Sequence, residues 1–169
     1  MNPAQMARIM SSRSEWEPRG NTVHACLESF LLHGDAGDPG EYENWVTPLV
    51  NHSIWKTWEP VAVEHRLVDA RYSIAGSFDA LLRHKDTGRL VLADLKTQSS
   101  QDSKPRDVTP QLGGYMNLMD QCYPGIAVDE GIAIWSKPGS VAITTYKGPK
   151  CVESYLAARS LYLQEQPDF

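Results

Sequence analysis

Two aspartates and a lysine hold the chemistry this chain has to offer. Asp79 closes the run Gly76-Ser77-Phe78-Asp79, and Asp94 and Lys96 lie within Leu90-Val91-Leu92-Ala93-Asp94-Leu95-Lys96-Thr97. Both runs read as neighbouring strands. Residues i and i+2 of a strand share a face, so Asp94 and Lys96 project together and Leu95 turns into the opposite layer. Charge at the end of an otherwise apolar sheet is costly unless it is paired or used. An ion pair with Lys96 is one solution, but two acids against one base leave a negative charge over, which favours a metal. Mg²⁺ and Mn²⁺ prefer oxygen ligands; Asp79, Asp94 and the backbone carbonyl of Leu95 supply three. Lys96 would then neutralise a phosphate oxygen or orient an attacking water, and a base role would need its pKa lowered by the metal and by burial. Metal, activated water and charge stabilisation are what phosphodiester hydrolysis needs.

The elements that must position these residues follow from pattern. Met1–Glu17 holds a weak helical pattern, and Pro18-Arg19-Gly20-Asn21 reads as a break. Asn21 or Thr22 caps a helix over 23–33 that Gly34 closes, with Val23, Leu27, Phe30 and Leu31 on its apolar face. His24 and Glu28 share another face. A Gly/Asp/Pro-rich loop over 35–43 leads to a second helix over 45–58, with Leu49, Trp55 and Trp58 as core contacts and Glu59-Pro60 as its end. Three strands follow, over 61–69, 72–84 and 89–97. The first alternates Val61, Val63, His65 and Leu67 against Ala62, Glu64, Arg66 and Val68; Asp86-Thr87-Gly88 joins the second to the third as a hairpin. Gly76 marks a bulge or a close approach. The polar stretch 98–110 reads as a mobile loop, with Lys104 and Arg106 available to a substrate. A helix over 111–121, strands over 126–136 and 141–146 and a helix over 151–164 complete the order. Gly113 and Gly114 weaken the first of these helices and make sense if it packs closely on the sheet.

With 169 residues, 41% hydrophobic and 22% charged, the chain is expected to form one domain with a full core: a helical part over 1–60, a catalytic sheet over 61–147 with its helix, and a C-terminal helix over 150–165. A net charge of −5 argues against a protein held to nucleic acid by bulk positive charge, although carboxylates at a metal site would add negative charge of their own. No apolar run has membrane-spanning length and no leader pattern is visible, so a cytoplasmic location is expected, without a membrane partner. Cys26, Cys122 and Cys151 form no C-x-x-C pair; small core residues in helices are expected of them rather than disulfides or zinc ligands.

The motifs together resemble the RecB-like branch of the PD-(D/E)XK nucleases. Gly20-Asn21-Thr22-Val23-His24 matches the histidine of its N-terminal helix, and Gly76-Ser77-Phe78-Asp79 the aspartate of its second strand. Asp94-Leu95-Lys96-Thr97 matches the third strand, and Gln111-Leu112-Gly113-Gly114-Tyr115 the helix beyond; Glu64 stands where a first-strand glutamate is common. The resemblance spans 24–135. It implies an α/β, restriction-endonuclease-like fold, in which helices flank a mixed central sheet with an αβββαβ core and a helical segment precedes it. It implies a catalytic set of Asp79, Asp94, Lys96, Glu64, Gln111 and Tyr115. The metal, Mg²⁺ or Mn²⁺, would be held by His24, Asp79, Asp94 and the Leu95 carbonyl. Glu28 would steady the His24 imidazole or remain a solvated charge, and Gln111 and Tyr115 would touch the DNA backbone or Lys96, or simply pack. Three cysteines at unrelated spacing predict no iron–sulfur cluster.

Without a nucleotide-binding P-loop, the chain resembles a stand-alone, phage-type exonuclease acting on linear DNA ends or single-stranded regions in degradation, replication, recombination or repair. It would work as a homo-oligomer or beside a recombination or replication protein. A structure-specific endonuclease with the same site and a non-catalytic DNA-binding module on this fold are the alternatives.

Overall fold

The computed structural model describes residues 10–165. Helix α1 (Arg13–His33) is followed by a 3₁₀ turn (Gly40–Tyr42) and two short helices, α2 (Glu43–Val50) and α3 (Ile54–Thr57). Three strands come next, β1 (Trp58–Asp69), β2 (Ile74–His84) and β3 (Leu90–Thr97), then α4 (Thr109–Cys122). Strands β4 (Glu130–Lys137) and β5 (Ser140–Lys147) and helix α5 (Gly148–Glu165) complete the fold. The strands form one mixed sheet in chain order, antiparallel except where β3 pairs with β4 in parallel. The long connection a parallel pair requires is α4 and its flanking loops. This is the expected α/β architecture.

Each face of the sheet carries its own core. On one, Val23 and Leu27 of α1 and Val46 and Leu49 of α2 pack on Ala80, Leu82, Val91, Ala93, Leu95, Ile132 and Ile134. On the other, Leu112, Met116, Leu118 and Met119 of α4 and Cys151 of α5 pack on Leu67, Phe78, Leu92 and Trp135. A β3 with both faces covered is why Leu90–Ala93 reads as an unbroken apolar run.

Several elements depart from expectation. The short helix read over Met1–Glu17 falls largely outside the described residues. Among those described, the helix does not break at Pro18-Arg19-Gly20-Asn21 but runs through it, so Asn21 and Thr22 cap nothing. A proline in a helix interior costs about 3 kcal/mol. Burial of Val23 and Leu27, at roughly 1.5–3 kcal/mol each, offsets that cost, and an Arg13–Glu17 ion pair supports the first turns. Gly34 ends the helix as read, with φ 78° and its N–H on the Phe30 carbonyl.

The second helix is divided. Asn51, whose side chain bonds the Thr47 carbonyl, closes α2, and His52 Nδ1 accepts the Ile54 N–H to open α3. Trp58 already has extended backbone and starts β1.

Glycines 113 and 114 face α5 rather than the sheet: a Cβ on Gly113 would lie 1.9 Å from the Cys151 carbonyl oxygen. Gly76 is a close approach, not a bulge, with Tyr115 lying where a side chain would go.

The expected alternation of β1 also fails. Ala62 packs in the α4 layer with Leu67 and Phe78, and His65 stacks on Phe78 in the same layer, so Ala62 does not oppose them. The register shifts by one residue at Val61, between Pro60 and Ala62, and Glu64 then takes φ 47°. Across from it β2 rolls over too: Gly76 and Phe78 face α4, whereas Ala80 and Leu82 face α1. The two irregular residues stand opposite each other, because Val63 pairs with Ala80 and His65 with Phe78, which leaves Glu64 against Asp79.

Candidate active site

The irregularity in β1 and β2 creates the site. The β2–β3 ladder stops at Ala80 and Ala93, and beyond it the Asp79 carboxylate accepts the Leu95 N–H at 2.5 Å in place of a strand carbonyl. A residue's N–H and C=O leave a strand on the same edge, so the Leu95 carbonyl points to the side of Asp79 as well. The Leu95 side chain is buried in the α1 core, so what Leu95 presents at the site is backbone.

Helix α1 lies over this gap and brings His24 Nδ1 within 3.3 Å of Asp79 Oδ1. His24, Glu64 and Asp79 can each offer a ligand atom such that all lie within 4.8 Å of one another. Asp94 lies deeper, 1% exposed, with Lys96 Nζ 2.9 Å from Oδ1 and 2.7 Å from Oδ2. Only the Oδ1 contact has hydrogen-bond geometry, so Oδ2 is buried without a donor.

The electrostatics follow from crowding. Burial pushes Asp94 up to about 6, with Asp79 adding to the rise and Lys96 opposing it. Burial and the Asp79 charge raise Glu64. Burial alone would lower His24, but its hydrogen bond to Asp79 and the charges of Asp79 and Glu64 outweigh that and raise it. Like charges crowded together and out of water favour the neutral carboxyl, which is why Glu64 and Asp94 both rise.

A cleft of about 960 Å³ opens above these groups. One wall is α1, with Trp16, Arg19, Gly20 and His24; the other is the end of β3 and the loop beyond, with Lys96, Thr97, Ser103, Lys104 and Arg106. That loop is pinned, not mobile. Lys137 Nζ donates to the carbonyls of Gln101 and Ser103, Trp45 Nε1 to that of Gln98, and Gln98 Nε2 to that of Lys104.

The structure therefore gathers His24, Glu64, Asp79, Leu95 and Lys96 around the cleft floor, with Asp94 beneath. Glu28 does not steady His24: Asp79 holds the imidazole, and Glu28 lines the cleft, its charge acting on Glu64. Gln111 and Tyr115 bond each other, Nε2 to hydroxyl at 2.8 Å, in the α4 layer. The Tyr115 ring packs against Gly76, and neither residue lines the cleft. Trp16 and Arg19 also line the cleft. The i, i+4, i+8 spacing of Trp16, Gly20 and His24 is the signal for Trp16 in the sequence, and the breaker Pro18 obscures it.

The residues fit a divalent metal. The donor set is hard oxygen plus one imidazole, three acids converge, and a buried carboxylate oxygen accepts no hydrogen bond. A model of the PD-(D/E)XK nuclease superfamily matches residues 46–152, and the chain belongs to that superfamily. It is thereby a metal-dependent nuclease, with DNA as its substrate. Among solved structures, one titled crystal structure of SSO0001 aligns with 20% identity and a TM-score of 0.43, over 89% of this chain and 77% of that one. No curated protein matches.

Proposed function

We propose that the protein is a DNA exonuclease of the RecB-like branch, a single domain using Mg²⁺ or Mn²⁺, acting in the cytoplasm in DNA degradation, replication, recombination or repair. The observation that carries this reading is the convergence of His24, Glu64 and Asp79 at the floor of a cleft, above the buried Asp94–Lys96 pair.

In this reading His24, Asp79, Asp94 and the Leu95 carbonyl hold the metal, and Glu64 joins them. A bound divalent ion lowers the pKa of a coordinated water and neutralises charge on the phosphate. Lys96 projects into the cleft from the same floor. Its ammonium, anchored on Asp94, is placed to meet a phosphate oxygen and to orient the attacking water. Asp79 holds the imidazole of His24 and, through the Leu95 N–H, the backbone that presents the carbonyl. The Tyr115 ring fills the space left by Gly76; burial raises its phenol, and the charges of Asp94, Asp79 and Glu64 raise it further, while Gln111 Nε2 donates to its hydroxyl.

The test is digestion of end-labelled linear DNA and covalently closed circular DNA with Mg²⁺ and with Mn²⁺. Release of nucleotides from linear ends with the circle spared supports the exonuclease. Cutting of a closed circle bearing a flap or single-stranded region supports an endonuclease instead. Intact linear DNA with Mn²⁺ over a broad pH range refutes the exonuclease, and an intact flap-bearing circle as well refutes the endonuclease.

A further inference from the structure

Arg19 is built into the cleft wall, and the metal-site chemistry makes no use of it. It stands one turn before the buried Val23, on the flank of α1 that faces α2, and it lines the cleft. Its guanidinium lies over the Trp45 ring, 5.4 Å from the centroid, and its Nε is buried with no hydrogen-bond partner. The ring beneath is held in place. Trp45 Nε1 donates to the Gln98 carbonyl at 2.8 Å, and Ser136 Oγ donates to the Trp45 carbonyl at 2.9 Å. Among the described residues no carboxylate pairs with Arg19; Glu17, the nearest acid in sequence, is taken by Arg13.

A guanidinium in this position is costly to the free protein. A half-buried cation has no counter-charge, and a buried N–H has no acceptor. An unbranched apolar side chain would cover Trp45 without either cost. The arrangement makes sense when an anion supplies what is missing, because a planar guanidinium held on an aromatic face has its donors already oriented. The facing wall carries the same sign: Lys104 and Arg106 line the cleft from the loop after β3, which Lys137 holds in place. In a chain of net charge −5 the cleft thus has cations on both walls, above a floor where His24, Glu64 and Asp79 meet. Arg19 precedes His24 by five residues, about 7.5 Å along the helix axis at 1.5 Å per residue. That is about two steps of 3.4 Å along a nucleic-acid strand.

We propose that Arg19 is a substrate-binding residue that grips one DNA backbone phosphate, about two nucleotides from the phosphate at the metal floor, while Lys104 and Arg106 draw the strand in from the facing wall. Held at that second point, the strand keeps its register over the metal floor. This rests on the nuclease reading for its biological meaning, but binding can be measured apart from hydrolysis.

The experiment measures anisotropy of a 5′-labelled oligothymidylate in Ca²⁺, and separately its hydrolysis in Mg²⁺ and Mn²⁺, for wild type and Arg19→Met. Arg19→Met should weaken binding roughly ten- to a hundredfold, the loss of a charge-assisted contact. The slope of log K against log salt should become shallower by about 0.7, one phosphate on a single strand. KM should rise more than kcat falls. Tm should stay at or above that of wild type, because methionine still covers Trp45. Arg19→Lys, which keeps the charge without the fork, should bind between the two with the wild-type salt slope; it carries the comparison should Arg19→Met fail to fold. A role confined to packing on Trp45 predicts the reverse for Arg19→Met, a lower Tm with binding and salt slope unchanged, and that result overturns the proposal. So does wild-type protein that leaves the oligonucleotide unbound, or Arg19→Lys binding as tightly as wild type. Wild-type protein that binds through Arg19 but cleaves nothing would refute the nuclease reading and leave the phosphate grip standing.

Discussion

Adding Mn²⁺ should stabilise the protein far more at pH 8 than at pH 5, and the structure sets the size of the difference. Asp94 is pushed up to about 6 by burial. A metal that uses this carboxylate must displace its proton at pH 5 but not at pH 8. The apparent affinity should therefore fall about tenfold between those values from Asp94 alone, or about 1.4 kcal/mol. Glu64 and His24 are raised as well, so both increase the drop.

The metal-free protein should behave oppositely. A carboxyl whose folded pKa is raised contributes stability that is complete below its unfolded pKa and is lost as pH rises through the folded value. His24, also raised, acts in the same direction. The rise of Asp94 from 3.8 to about 6 is worth at most about 3 kcal/mol, lost between pH 4 and 7. For a domain of this size that is roughly 6–12 °C in Tm. Differential scanning fluorimetry across pH 5–8, with EDTA and with a Mn²⁺ series, reads both effects. A Mn²⁺ affinity independent of pH, or a metal-free Tm that climbs from pH 5 to 8, would refute the idea that strained, protonatable carboxyls form the metal site.

Asp79→Asn should keep the fold, because a carboxamide oxygen still accepts the Leu95 N–H, yet lose Mn²⁺ binding by calorimetry and at least about a hundredfold in hydrolysis. Gly113→Ala should destabilise by 3 kcal/mol or more on the order of a severe overpacking mutation, since its Cβ would strike the Cys151 carbonyl. Gly114→Ala, whose nearest neighbour would be the Tyr155 ring at 3.3 Å, should be milder; urea melts separate the two. Lys137→Met should free the carbonyls of Gln101 and Ser103, speed amide exchange in the loop over 98–108 and raise KM for DNA, with the Tm within a few degrees of wild type.

Strands β1 to β3 were legible because apolar and β-branched runs bounded by turn residues, and an Asp-Thr-Gly hairpin, are local signals, and so were Asp94 and Lys96 on a common face. What escaped the sequence depends on contacts far along the chain. Pro18 and Gly20 are breakers by local propensity, but burial of Val23 and Leu27 holds the helix through them, and this places Trp16 and Arg19 on the cleft. The loop after β3 looked mobile because nothing local holds it; its staples, Lys137 and Trp45, lie far away in sequence. Glu64 was read as a regular strand residue. Its positive φ is invisible in a sequence of ordinary residues, and that irregularity sets it opposite Asp79 and into the cluster with His24.

The central claim is that this cluster and Lys96 hydrolyse DNA from its ends. The most direct measurement is a digestion time course on end-labelled linear and closed circular DNA with Mg²⁺ or Mn²⁺, comparing wild type with Lys96→Ala. The account predicts metal-dependent release of nucleotides from the linear substrate, a spared circle, and loss of activity in a Lys96→Ala protein that still folds. Linear DNA left whole by the wild type with either metal, or cut equally well by Lys96→Ala, would contradict it.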